Sequence, residues 1–120
     1  MKYKANIIKI GNNAKTMLEN KTIILFNQNA PDELKDYCVV TEDTPVRKEI
    51  QEGDRLNIFK ENYTISSIGE VANQNLHELG HVSLCFDGAK EPKLPGNIHL
   101  NTEFKGNILN NTEIFITESN

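Results

Sequence analysis

Short runs in which apolar and polar residues alternate dominate this sequence. In the run 81–86, for example, Val82, Leu84 and Phe86 alternate with more polar residues. A period of two is typical of a strand with one face in a core, because successive side chains of a strand point to opposite faces of its sheet. Runs of strand length recur at Lys4–Ile10, Thr22–Phe26, Tyr37–Thr41, Arg55–Phe59, Tyr63–Ile68, His81–Phe86, Asn97–Leu100 and Glu113–Thr117.

Helix and turn signals fill the spaces between these runs. Short helices are predicted at Ala14–Asn20, Asn29–Asp36 and Val71–Leu79. The sequence also predicts a hairpin connection at Lys60–Asn62, loop over most of 42–54 and a long surface connection at 101–111. About eight short strands with two or three short helices favour an all-β barrel or sandwich.

Length and composition narrow the class of protein. The chain has 120 residues, which predicts one domain, 1–120. Its net charge is −4 and its Lys and Arg residues are scattered, so we expect no nucleic-acid partner. No apolar run approaches the roughly 20 residues that span a bilayer, and the N-terminal stretch does not resemble a signal peptide. Cys38 and Cys85 each lie inside an apolar run, which is typical of reduced thiols in a cytoplasmic protein.

Residues 77–81 read His-Glu-Leu-Gly-His and match the pattern of a zinc-metalloprotease helix. Gly80, however, suits the left-handed residue that ends a helix, which would place His81 in the following strand and away from His77. No third ligand stands in a recognisable position, although His99 or an acid could serve. The sequence therefore predicts no metal and no other cofactor, and a metal-dependent hydrolase built on this motif is the less favoured enzyme.

His81 and His99 are the histidines that the strand pattern places outside the core. His81 lies on the strand face opposite Val82, and His99 alternates with Ile98 and Leu100. A histidine at such a position is either a hydrogen-bonded surface residue or a catalytic group in a groove. The pattern alone leaves both roles open for each of them.

Several blocks of the sequence resemble one bacterial family. They are Ala30-Pro-Asp-Glu-Leu34, the pair Tyr37-Cys38, Glu78-Leu-Gly-His-Val82, Phe86-Asp-Gly88 and Leu94-Pro-Gly-Asn-Ile-His99. Together these blocks are similar to the glucitol/sorbitol-specific IIA component of the bacterial phosphotransferase system, and the resemblance extends over nearly the whole chain.

The resemblance implies an all-β phosphoryl carrier. Members of this family take a phosphoryl group from a histidine of HPr and pass it to the IIB component of a sugar-alcohol transporter. Such chemistry needs a neutral imidazole nitrogen as nucleophile and a shallow surface on which the two partners dock in turn. The expected partners are therefore HPr and a IIB/IIC transporter, and the chain is expected to meet the membrane only through that transporter.

The chain departs from the family at the position of the acceptor histidine. In the family this histidine follows the Tyr-Cys pair within a His-x-His-Gly stretch, and the matching residues here are Thr41 and Asp43, neither of which can carry a phosphohistidine. If transfer is retained, His81 is the expected acceptor, with His99 as second choice or as a phosphate-orienting neighbour. The alternative is a divergent homologue without phosphotransfer that acts as a regulatory or binding module.

The last predicted strand, Glu113–Thr117, follows a long connection. A strand at the end of such a connection is a natural candidate for exchange between two copies of a chain. The sequence therefore leaves open a homodimer formed in this way.

Overall fold

Eight strands and three short helices make up the computed structural model, which describes residues 1–119. The strands are β1 (Tyr3–Ile10), β2 (Thr22–Asn27), β3 (Cys38–Thr41), β4 (Arg55–Ile58), β5 (Glu61–Ile68), β6 (His81–Cys85), β7 (Asn97–Leu100) and β8 (Glu113–Thr117). The helices are α1 (Ala14–Met17), followed by a 3₁₀ turn at Leu18–Asn20, α2 (Asp32–Lys35) and α3 (Ala72–Leu79). Every predicted strand is present, with small shifts at the ends. None of the helices in the described part of the chain is both long and apolar enough to cross a membrane.

The strands close into a barrel, which confirms the all-β prediction and selects the barrel over the sandwich. Their order around the barrel is β1-β3-β2-β6-β7-β5-β4-β8, and β8 pairs back onto β1. The β2–β3 and β6–β7 pairs are parallel, and the other pairs are antiparallel. Because β8 is bonded to both β1 and β4 of its own chain, it is not a free edge here. Its exchange between two copies stays a prediction.

Alternate side chains of the strands fill the barrel. In β2, Ile23 and Leu25 are buried, whereas Ile24 and Phe26 on the other face are half-buried. Each fully buried large apolar side chain contributes about 1.5–3 kcal/mol. The largest of them are Tyr3, Phe86, Ile7, Ile23, Leu25, Ile50, Leu56, Ile58, Ile65, Leu76, Leu84 and Ile98.

An ion pair is buried next to this core. The Lys2 Nζ atom lies 2.7 Å from Asp54 Oδ2, and the two side chains are 7% and 4% exposed. The same carboxylate oxygen accepts the backbone N–H of Gln51 at 2.7 Å. Burial of the two charges is tolerated because they are paired and hydrogen-bonded. The pair fastens the end of the 42–54 loop to the start of the chain.

The connection between β4 and β5 differs from the prediction. The sequence pattern assigns it to Lys60–Asn62, but Phe59 and Lys60 form a two-residue turn and Glu61 already begins β5. Both turn residues have positive φ angles, 50° and 66°, as in a type I′ turn. That turn normally uses Asn and Gly, so a Phe-Lys turn gives no local signal. The Phe59 side chain is buried, and its ring lies 6.0 Å from that of Phe104, which offsets the backbone strain.

Candidate functional site

The chain turns sharply between α3 and β6, and this turn determines where His81 lies. The helix ends at Leu79, Gly80 has a left-handed φ of 67°, and β6 begins at His81. The predicted helix end at Gly80 is therefore confirmed. His77 is left on the exposed last turn of α3, where its Nδ1 accepts the backbone N–H of Val46 at 3.2 Å.

This geometry separates the residues of the metalloprotease-like motif. His77 is on a helix and His81 is on a strand, so the two rings do not share one helix face. Within residues 1–119, no group of three or more His, Cys, Asp or Glu side chains is placed to hold a metal ion. The arrangement gives no support to the metal-dependent hydrolase.

The His81 ring lies on the outer face of the barrel. Its strand neighbour in register is Phe26 of β2, and the two rings are 4.8 Å apart at an angle of 52°. Among residues 1–119, no side-chain hydrogen bond occupies the His81 ring nitrogens. Partial burial lowers the pKa of His81 below its usual value. The ring is therefore neutral near pH 7, which is the form in which an imidazole nitrogen acts as a nucleophile.

Asn27, at the end of β2, fixes the backbone that leads into His81. Its Oδ1 accepts the backbone N–H of Asn29 at 2.9 Å, and its Nδ2 donates to Asp43 Oδ1 at 3.3 Å. The side chain lies directly against Gly80, so that a Cβ at position 80 would collide with the Asn27 amide. Asn27 has no signal in the sequence, because no local pattern marks a contact between a strand end and a distant glycine.

The surroundings of His99 are quite different, because its ring is fully buried. Its Nδ1 donates to Asp87 Oδ1 at 2.8 Å, and its Nε2 accepts the backbone N–H of Lys93 at 3.2 Å. The Asn97 amide nitrogen is 3.4 Å from the same Nε2. Both ring nitrogens are thus occupied and solvent is excluded, and the ring fastens the 87–97 loop to β7.

Asp87 is the charged centre of this network. Its side chain also pairs with Lys93 Nζ at 3.2 Å and accepts the backbone N–H of Ala89 at 3.0 Å. Partial burial would raise the pKa of Asp87, but the hydrogen bonds from His99, Ala89 and Lys93 outweigh it and lower the pKa to about 2. The bond to Ala89 is typical of an Asp in a turn, whereas the bond to His99 has no signal in the sequence.

The structure does not bring His81 and His99 together. In the parallel β6–β7 pair, His99 is the partner of Cys85, at the opposite end of β6 from His81. Four residues of strand separate the two ends, or roughly 13 Å. His99 is therefore too far from His81 to orient a phosphoryl group on it.

Thr41, which the resemblance predicts to match the family acceptor position, lies at the same end of the barrel as His81. Its partners in register are Ile7 and Asn27, and it is only 1% exposed. β2 lies between β3, which carries Thr41, and β6, which carries His81. The two residues are therefore two strand spacings apart, or about 10 Å. The predicted acceptor position is thus held by a buried residue, and among residues 1–119 His81 is the strand histidine with a partly exposed ring.

Comparison with known proteins agrees with the barrel and with the sequence motifs. The family model for the PTS system glucitol/sorbitol-specific IIA component matches residues 2–114. The chain is 34% identical, over 98 residues, to the PTS system glucitol/sorbitol-specific EIIA component of Shigella flexneri, covering 82% of this chain and 80% of that protein. The corresponding protein of Escherichia coli K12 gives the same identity and coverage. The crystal structure of a PTS system IIA component from Enterococcus faecalis V583 is similar, with a TM-score of 0.81 and 31% identity over 96% of this chain and 99% of that one.

Proposed function

The chain belongs to the family of glucitol/sorbitol-specific IIA components of the phosphotransferase system, and from this premise we propose that it carries a phosphoryl group from HPr to a sugar-alcohol-specific IIB component with His81 as the acceptor. The observation that supports this assignment is the contrast between the two strand histidines. The His81 ring is neutral, partly exposed and free of side-chain hydrogen bonds within residues 1–119. The His99 ring is buried and bonded at both nitrogens.

The transfer is a displacement at phosphorus. A neutral ring nitrogen of His81 attacks the phosphorus atom of the phosphohistidine of HPr, and a new N–P bond forms as the N–P bond of the donor breaks. The His81 ring releases the proton of its other nitrogen, and the departing imidazole of HPr takes up a proton. In the second transfer a nucleophile of IIB attacks the phosphorus atom on His81, a bond from that nucleophile to phosphorus forms as the His81 N–P bond breaks, and the departing His81 ring takes up a proton. We place this exchange in the cytoplasm, because Cys38 and Cys85 are free thiols.

The test is intact-mass spectrometry after incubation with phosphoenolpyruvate, enzyme I and HPr. We expect one acid-labile phosphoryl increment on the unmodified chain and none on His81→Ala. The matched control is His77→Ala, which removes an exposed histidine from the neighbouring helix and should keep the increment. Circular dichroism of each variant verifies that the barrel is intact.

Two results would contradict the proposal. One is an increment that persists in His81→Ala, since the acceptor would then lie elsewhere. The other is an unmodified chain that gains no phosphoryl group while HPr in the same mixture is phosphorylated.

A second candidate function follows from Thr41. A buried threonine at the family acceptor position suits a homologue that has lost phosphotransfer and binds other phosphotransferase components as a regulatory module. The second contradictory result above, combined with retained binding of HPr or IIB, is the outcome that this candidate predicts.

A further inference from the structure

A cleft lined mainly by polar side chains opens on the outer wall of the barrel at the start of β8. Its volume is about 510 Å³, within the range of about 300–1,000 Å³ that small-molecule sites occupy. Its walls come from β4, from the turn between β4 and β5, and from the chain that leads into β8. The side chains that carry its chemistry are Asn57, Lys60, Asn110, Asn111, Glu113 and Phe115, which we call the amide cleft.

Phe115 gives this polar cleft an apolar face. It alternates in β8 with the buried Ile114 and Ile116, so its ring is on the outer surface, where it is half-buried. Its register partners are Lys4 of β1 and Asn57 of β4. A partly exposed ring among polar side chains offers a surface on which the C–H groups of a ligand can pack.

Hydrogen-bonding groups lie beside this ring. Asn57 Nδ2 donates to Asn62 Oδ1 at 2.9 Å, which leaves Asn57 Oδ1 as an acceptor. Asn110 Oδ1 accepts the backbone N–H of Asn111 at 2.9 Å, which leaves Asn110 Nδ2 as a donor. The exposed carboxylate of Glu113 adds acceptor oxygens. Donors and acceptors are thus both present next to an apolar face.

Lys60 contributes a cation from an unfavourable backbone conformation. Its φ is 66°, and Asn111 on the other side of the cleft also has a positive φ, 58°. Phe59, the other residue of the turn, offsets its strain by burial against Phe104, but the Lys60 side chain is exposed and makes no salt bridge within residues 1–119. Packing therefore does not explain a lysine where glycine fits best. Strained residues of this kind are concentrated at functional sites.

We propose that the amide cleft binds a neutral polyhydroxylated compound the size of a monosaccharide, either a sugar or a sugar alcohol. Its C–H groups pack on Phe115, and its hydroxyl groups, which both donate and accept, bond to the amides, to Glu113 and to the Lys60 ammonium. Among the described residues that line the cleft, Lys60 is the one cation and none is an arginine, which favours a neutral ligand over a phosphate ester.

This site goes beyond the phosphoryl carrier role. β8 is four strands away from β6, which carries His81, in either direction around the barrel. A small ligand in the amide cleft therefore does not touch His81, and its binding does not depend on which residue accepts a phosphoryl group.

The test is a titration of the isotope-labelled full chain with D-glucitol, D-mannitol, D-glucose and D-fructose, followed by amide NMR spectra. Each compound is added to about 50 mM, at which a site with a Kd of about 1 mM is almost saturated. We expect at least one of them to shift the side-chain amide signals of Asn57 and Asn110 and the backbone signal of Lys60. Glycerol at the same concentration controls for a general effect of hydroxyl compounds on the solvent and should leave these signals in place.

Lys60→Gly separates ligand binding from stability. Glycine relieves the left-handed backbone, so the variant should unfold at a higher urea concentration, yet it should bind the compound about tenfold more weakly through loss of a charged donor. The matched control is Lys21→Gly, because Lys21 is also an exposed lysine with a positive φ, 58°, and lies outside the cleft. It should gain stability in the same way and keep the affinity of the unmodified chain.

Asn57→Ala tests the amide groups. Loss of the Asn57 side chain should weaken binding by about fivefold, as expected for one neutral hydrogen bond. The matched control is Asn107→Ala, because Asn107 is an exposed asparagine outside the cleft. Circular dichroism verifies that both variants keep the barrel.

Shifts that map to the amide cleft and weaker binding by Lys60→Gly and Asn57→Ala support the proposal, and the tighter ligand then shows whether an open chain or a ring is preferred. The proposal is overturned if none of the four compounds shifts the spectrum more than glycerol does, if the shifts lie elsewhere on the barrel, or if both variants bind as the unmodified chain does. None of these results bears on phosphorylation of His81, so this inference and the carrier role stand or fail separately.

Discussion

His81 and His99 lie on neighbouring strands of one barrel, yet they are held in opposite ways. His81 is positioned through the main chain, because Gly80 turns the backbone into β6 and the pairing with Phe26 sets the direction of the ring. His99 is positioned through its ring, which is bonded to Asp87 on one side and to the Lys93 backbone on the other.

The difference shows what decides whether a strand histidine is available for chemistry. A ring that is held by hydrogen bonds at both nitrogens stabilises the fold, but it has no lone pair to offer a phosphorus atom. A ring held by the backbone beneath it keeps its nitrogens free, and partial burial keeps it neutral. Substitutions at the two rings and at the residues that hold them test this contrast.

Removal of the His99 ring should lower the free energy of unfolding much more than removal of the His81 ring. His99→Ala leaves a cavity and strands the Lys93 N–H and part of the Asp87 carboxylate, so we expect the free energy of unfolding to fall by about 2–4 kcal/mol. His81→Ala removes a half-exposed ring and should cost about 1 kcal/mol or less. Urea unfolding at pH 7 measures both values.

Equal losses in the two variants would break the comparison. Equal losses of unfolding free energy would mean that the His81 ring stabilises the fold as much as the His99 ring does, or that the 87–97 loop does not depend on the His99 ring. His77→Ala serves as the baseline for loss of an exposed imidazole, although it also frees the Val46 N–H to bond with water.

The next largest effect should come from Gly80→Ala. The new Cβ costs about 1–2 kcal/mol at a left-handed φ and collides with Asn27, so we expect a total loss of about 2–3 kcal/mol and a displaced His81 ring. The matched control is Gly53→Ala, where φ is 92° but the nearest atom, Ser119 Oγ, is 3.7 Å from the added Cβ.

Urea unfolding gives the stability of both glycine variants, and the NMR signals of the His81 ring report its displacement. Only Gly80→Ala should move those signals. If the two substitutions cost the same and leave the His81 signals unchanged, then Asn27 does not fix the approach to His81.

The parts of the molecule that the sequence predicts correctly are those that depend on neighbouring residues in the chain. Alternation of apolar residues locates the eight strands, and a glycine after a helical pattern locates the left-handed turn at Gly80. The same local information puts His81 on an outer face, opposite the buried Val82.

The remaining features arise from contacts that only the closed barrel creates. The bonds of His99 to Asp87 and Lys93 join a strand to a loop whose path has no periodic pattern. The contact of Asn27 with Gly80 joins the end of β2 to the turn before β6, which is distant in sequence. For the same reason the sequence could not show that the His99 ring is buried and bonded at both nitrogens, since burial of a ring and its bonds are tertiary properties.

Asp87→Asn should have a smaller effect, which depends on pH. The folded pKa of Asp87 is lowered from 3.8 to about 2, so the charged carboxylate adds stability that is fully present above pH 4 and is lost as the pH falls through about 2. The amide retains an acceptor for His99 and Ala89, so we expect a loss of about 1 kcal/mol at pH 7. Between pH 4 and pH 2 the variant should lose less stability than the unmodified chain.

Unfolding by urea at several pH values between 2 and 7 checks this prediction. Asp32→Asn is the control, because its carboxylate pairs with Lys35 at 3.6 Å on a fully exposed side chain and should contribute little. If the free energy of unfolding falls equally in Asp87→Asn and in the unmodified chain below pH 4, the Asp87 charge does not stabilise the loop.

The smallest effect concerns the titration of His81. Because burial disfavours the charged ring, NMR titration should give His81 a pKa below the usual value of about 6.5. Phe26→Leu keeps an apolar side chain beside the ring but uncovers part of it, so the pKa should rise toward that value. The control is Ile24→Val, two residues before Phe26 on the same face of β2, which should leave the pKa of His81 unchanged. A His81 pKa at or above 6.5 in the unmodified chain would mean that burial does not disfavour the charged ring, so that the fold does not favour the neutral nucleophile.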